Sequence, residues 1–115
     1  MNKIIHYEIP VKDLKKSEEF YSKIFGWKTK VSGDENYQFV ETENKEISIA
    51  FEKFELPNNY PIVYIKVDSV EETIKNISKS GGKILVSKTK YKNMGFYAVV
   101  TDPEGNHIGL WEKSK

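Results

Sequence analysis

Met94–Lys113, MGFYAVVTDPEGNHIGLWEK, reads as strand, tight turn, strand. Pro103 and Gly105 stand where a type I turn followed by a left-handed residue needs them. Alternation along the second strand puts Ile108 and Leu110 on one face and His107, Gly109 and Trp111 on the other. The apolar pair suits a covering helix. The second set, one imidazole, one residue without a side chain and one indole, faces elsewhere and asks for a different explanation.

Working outward from this hairpin, the chain repeats one order of elements. KIIHYEIPV alternates, with Ile5, Tyr7, Ile9 and Val11 on one side and His6, Glu8 and Pro10 on the other. DLKKSEEFYSKIFG follows as a helix capped by Asp13 and stopped by Gly26. Its Phe20, Tyr21 and Phe25, with Trp27 after it, are expected as core beneath the helix. WKTKV, YQFVET and EISIAFE read as short strands, and FELPNNYP as a connector. IVYIKVD then starts a second round. The helix SVEETIKNISKSGG carries a Ser69/Glu72 capping box, an apolar stripe of Val70, Ile74 and Ile77, and a Gly81-Gly82 stop. GKILVS, FYAVVT and HIGLWE supply three more strands.

Ile9 with Ile65, Val11 with Val67, Leu14 with Val70 and Gly26 with Gly82 are each 56 positions apart, so the letters repeat as well. One such unit cannot bury both a helix and the faces of its strands. The expected fold is therefore α+β: two βαβββ modules, residues 1–54 and 61–113 of a single domain 1–115. They would form a curved mixed sheet with helices outside and a concave, ligand-binding inner face.

Composition narrows the function classes. The 115 residues carry 18 Lys+Arg against 17 Asp+Glu, spread along helices and turns, where a nucleic-acid or anionic-membrane binder concentrates a basic excess. There is no cysteine, which removes disulfides and thiolate chemistry and fits the cytoplasm. No apolar run is long enough to span a bilayer, and MNKIIHYEIP lacks a signal peptide's apolar stretch. KSGGK is a helix stop, not a phosphate loop, and no serine lies in a nucleophile elbow.

HYEIPVKDLKKSEEFYSKIFGWK resembles the first module of the vicinal oxygen chelate superfamily, which includes glyoxalase I, bleomycin-resistance proteins and extradiol dioxygenases. VDSVEETIKNISKSGGKIL with GFYAVVTDPEGNHIGLWE resembles the second, so the likeness covers essentially the whole chain. HYEIP and DPEGN…GLW are most similar to a bacterial group described as related to lactoylglutathione lyase. The resemblance implies an eight-stranded cup, often completed by dimerisation. In metal-using members a divalent ion is held by side chains from the first and last strands of each module. Those positions fall here on His6, Ala50, Ile62 and Gly109. Only His6 carries a donor side chain, so no metal and no other cofactor is expected, and glyoxalase I chemistry is not expected either.

Alternation gives the rest of the inner face: Ser48, Ala50 and Glu52 from the fourth strand, Ile62, Tyr64 and Lys66 from the fifth. The candidate ligand pocket is His6, Glu8, Ser48, Ala50, Ile62, Tyr64, His107, Gly109 and Trp111, with Ala50 and Gly109 leaving room beneath aromatic walls. Two functions compete. One is a small-molecule-binding protein, a homodimer, that takes an apolar or aromatic ligand without metal. The other is a lyase or isomerase moving a proton between His6 and Glu8, or a metal-dependent member with a relocated site. A third, blander option is a dimeric scaffold whose edge strands work through protein contacts.

Overall fold

The structure, a computed structural model, describes residues 2–42, 45–53 and 60–115. The elements run β1 (Ile4–Val11), α1 (Leu14–Phe25), β2 (Thr29–Val31), β3 (Tyr37–Val40), β4 (Ser48–Lys53), β5 (Ile62–Lys66), α2 (Val70–Lys79), β6 (Lys83–Tyr91), β7 (Gly95–Thr101) and β8 (His107–Lys113). Among the described residues this is βαβββ twice, eight strands and two helices in an α+β mixed-sheet fold, as the repeat predicts. The chain divides into two compact units, one of residues 6–62 and one of residues 1–5 with 63–115. The proposed connector at 54–61 falls largely outside the described residues. Among the described residues no helix is long and apolar enough to cross a membrane.

In the first module the strand order is β2-β3-β4-β1, with β1 and β4 parallel and the other pairs antiparallel. Asp13 caps α1 by accepting from the Lys16 N–H at 3.1 Å. At its other end the Gly26 N–H closes on the Ser22 carbonyl, and the left-handed conformation of that glycine (φ 71°) turns the Trp27 N–H back towards the Tyr21 carbonyl. Leu14 and Tyr21 lie against Val11, Val40 and Phe51, and the Tyr21 ring stacks on Trp27 with centroids 4.9 Å apart. Phe20 and Phe25 depart from expectation: they are 56% and 59% exposed. A helix of this length shows the sheet one narrow stripe, here Leu14 and Tyr21. Phe20 is turned about 100° from Tyr21, and Phe25 sits in the last turn, its ring tilted against Tyr21 and Trp27 with centroids 6.0 and 5.9 Å away.

In the second module the order is β5-β8-β7-β6, with β5 and β8 parallel. Ser69 caps α2 by accepting from the Glu72 N–H at 3.1 Å. A second orphan donor of that helix, the Val70 N–H, is satisfied from far along the chain by Glu112 Oε1 at 2.8 Å. Ile74 and Ile77 pack on Val67, Val70, Ala98, Val100 and Leu110, with Ile65 and Ile108 beside them. Strand β6 continues to Tyr91, past the Ser87 end that GKILVS suggests. Its added residues are polar because β6 is a terminal strand. Thr89 and Tyr91 turn inward while Lys88 lays its ammonium 4.4 Å from the Phe96 ring centroid.

Candidate functional site

The face of the first module turned away from α1 carries a connected polar network. Register places His6 beside Ser48, Glu8 beside Ala50, and Tyr37 beside Glu52, all pointing the same way. Ser48 Oγ lies 2.5 Å from His6 Nδ1, and the Tyr37 hydroxyl lies 3.0 Å from His6 Nε2. The same hydroxyl reaches Glu8 Oε2 at 3.5 Å, and His6 Nε2 is also 3.5 Å from that oxygen. Glu8 is buried, 7% exposed, and shares a hydrogen bond with Glu52.

Burial decides the charges. Desolvation pushes the His6 imidazole down to about 4, outweighing the opposing pull of the Glu52 charge. The His6–Glu8 contact is therefore a neutral imidazole against a carboxyl group, not an ion pair, at neutral pH. Burial pushes Glu52 the other way, up to about 9, helped by its hydrogen bond to Glu8 and by the charges of Glu8 and Asp34. A protonated acid thus stands beside a second carboxyl group and a neutral imidazole.

The second module shows a different surface on the face away from α2. Tyr64 pairs with Gly109, and Trp111 lies between Lys66 and Tyr97. A Cβ at Gly109 would stand only 2.4–2.6 Å from three atoms of the Tyr64 ring, which already occupies that space. The glycine therefore seats a buried tyrosine and does not open the empty floor that sequence reasoning expected. Gly95 does the same for Trp111, whose ring covers it while Tyr91 meets the indole edge-on at 6.2 Å. His107 starts β8 on this face, half-buried.

The predicted pocket residues thus form two groups, one in each module. His6, Glu8 and Ser48 are joined directly. Ala50 and Ile62 are buried apolar residues, 0% and 1% exposed. Tyr64, Gly109, Trp111 and His107 make up the second group. A surface hollow of about 480 Å³ in the first module is lined by residues such as Lys12, Lys15, Asn36 and Lys53, and by none of the predicted pocket residues. Sequence reasoning missed Tyr37. It also placed Glu52 on the inner face without giving it a role. The signal for both was the alternation of YQFV against SIAFE, which becomes readable only once the β3–β4 register is known.

The donor set does not fit a chelated ion at the positions the fold suggests. Ala50 and Ile62 offer no donor, Gly109 is closed by Tyr64, and both His6 ring nitrogens are engaged. Among the described residues no three His, Asp or Glu side chains are grouped to hold a metal.

Comparison with known proteins agrees with the fold. The family model described as Glyoxalase/Bleomycin resistance protein/Dioxygenase superfamily matches residues 3–110. The chain belongs to this superfamily. It is 28% identical over 125 residues to a lactoylglutathione lyase of Escherichia coli O157:H7, covering 96% of this chain and 93% of that one. Against "Putative glyoxylase CFP32" of Mycobacterium tuberculosis it is 25% identical over 116 residues, and there it spans only 44% of the relative's length. Among solved structures, a superfamily member from Vibrio splendidus 12B01 superposes with a TM-score of 0.68 at 16% identity, covering 98% and 99% of the two chains. An extradiol ring-cleaving dioxygenase from B. fuscum gives 0.70 at 19% identity, over 98% of this chain and 33% of that one. Superfamily membership carries the fold, and function has to be argued from the site.

Proposed function

We propose that this chain binds a small apolar or aromatic molecule bearing one hydrogen-bonding group, and that it does so without a metal. The observation that carries the reading is the His6–Ser48–Tyr37–Glu8–Glu52 network, which stands where relatives of this fold would place a first metal ligand. Strongly shifted titratable groups cluster at functional sites, and this network carries two of them, His6 and Glu52. Within the second module the aromatic face of Tyr64 and Trp111, with His107 on the same face, supplies a separate surface suited to a flat ligand. The test is equilibrium dialysis of protein pretreated with EDTA against apolar and aromatic carbonyl and hydroxyl compounds. Saturable binding that weakens at least about tenfold in His6→Ala supports the reading. No binding across the panel overturns it.

A second reading, a lyase- or isomerase-type enzyme, is favoured by one observation. Glu52 keeps its proton to about pH 9 beside the Glu8 carboxyl group, so a donor and an acceptor stand together. Its test is exchange of an acidic C–H of a bound ligand in deuterated water, followed by NMR. Exchange abolished by Glu8→Gln supports catalysis, and exchange equal to that of ligand in buffer removes it. The same proposal takes the chain as one domain and as a cytoplasmic, bacterial homodimer. The exposed Phe20, Ile24 and Phe25 of α1 are apolar surface that pairing would cover. Sedimentation as a monomer at tens of micromolar would remove the dimer.

A further inference from the structure

We infer that Tyr37 and Ser48 act together as a hydrogen-bond clamp on His6, holding it as the Nε2–H tautomer so that neither ring nitrogen presents a lone pair. Tyr37 is a positioning residue in this arrangement, and the clamp takes the place that a chelated ion would have. The inference rests on the metal-free reading above and gives it a structural cause.

The argument follows the direction of the protons. Tyr37 has one hydroxyl proton; His6 Nε2 and Glu8 Oε2 both lie within its reach, and Glu8 Oε2, at 3.5 Å, is an acceptor in either state of the imidazole. With that proton donated to Glu8, the tyrosine oxygen is left to accept, and the group 3.0 Å away is His6 Nε2. Nε2 then carries the imidazole proton. Nδ1 is left as the acceptor, and Ser48 Oγ is placed 2.5 Å from it to donate. The chain runs Ser48 to His6 to Tyr37 to Glu8 in one sense and ends on a carboxyl group, so every donor meets an acceptor.

Secondary structure makes the clamp possible. His6 and Ser48 are register partners on parallel strands, so one shoulder of the imidazole meets the serine directly. Tyr37 comes from β3, on the far side of β4, and needs a full phenol to reach across. Among the groups facing His6 are Glu8 from its own strand, Ser48 and Glu52 from β4, and Tyr37 from β3. Burial keeps the imidazole neutral down to about pH 4, so the clamp holds a single protonation state over the working range.

The experiment is NMR of the full chain with nitrogen-15 in the histidines, reading the tautomer from the two ring nitrogens with and without ions. The wild type is expected to show His6 as the Nε2–H form alone from pH 5.5 to 8.5. Its ring resonances should not move with equimolar Zn²⁺ or Ni²⁺. Tyr37→Phe, which keeps the ring and removes the hydroxyl, should populate both tautomers. Ser48→Ala provides the same readout should Tyr37→Phe fold poorly. A wild-type Nδ1–H form, a tautomer unchanged in both variants, or a His6 ring nitrogen shifted stoichiometrically by an ion would each overturn the clamp. An ion that stabilises the wild type while leaving His6 unmoved would support the clamp and sink the metal-free reading, so the two fail separately.

Discussion

The two modules place their chains in the same register and then fill matching positions with opposite chemistry. Glu8 pairs with Ala50 where Tyr64 pairs with Gly109, and Tyr37 pairs with Glu52 where Tyr97 pairs with Trp111. The first module spends its inner face on hydrogen bonds among buried polar groups. The second spends it on aromatic rings seated over glycines. Backbone geometry alone therefore assigns no chemistry to a βαβββ unit. The same slots accept a proton-sharing cluster or an apolar wall, provided each cluster is satisfied within its own module.

The sharpest way to break this contrast is to add one methyl group. Gly109→Ala drives a Cβ into the buried Tyr64 ring and should cost about 1–3 kcal/mol in urea unfolding. A cost near zero would mean that the ring moves aside freely. The next effect concerns pH. Glu52 titrates near 4.5 when unfolded and about 9 when folded, so the folded chain binds the extra proton between those values. Its contribution is fully present below 4.5 and is lost as pH rises towards 9. Glu52→Gln should flatten that decline and raise stability at pH 8 by roughly 1–2 kcal/mol, with no gain at pH 4. His6 acts with the opposite sign. Its folded value of about 4 lies below the unfolded 6.5, so stability falls as pH drops from 6.5 towards 4, and His6→Gln should remove that slope. Smaller again is Tyr37→Phe, expected to cost about 0.5–1.5 kcal/mol, the range of one hydrogen bond. The least effect is expected from EDTA, which should leave thermal unfolding unchanged. A lowered melting temperature after dialysis would show that an ion contributes to the folded state.

The repeat was legible because it rests on local chemistry. Asp13 and Ser69 as caps, Gly26 and Gly81 as stops, and the Ile108/Leu110 alternation are each read from a few neighbouring residues. What escaped depends on register or on lateral packing. Tyr37 joins His6 only because β3 and β4 align Tyr37 with Glu52. Gly109 looks like open space in a sequence, and only the Tyr64 ring beside it shows that the space is taken. Phe20 and Phe25 look like core by residue type, yet the stripe that meets the sheet passes through Leu14 and Tyr21. The polar continuation of β6 hid a strand because lysines on a terminal strand look like loop.

The two helix starts also differ in when they can be completed. Asp13 caps α1 from three residues away, so that end is finished as soon as the first turn exists. The Val70 N–H of α2 is answered by Glu112, 42 residues later. During synthesis at the ribosome, this donor of α2 has only water to bond until nearly all of the second module has emerged. Strand β8 is thus both the last of its module's strands to be made and the one that finishes its helix. Nascent chains arrested before Glu112 should protect the first module's amides from hydrogen exchange well before those of α2.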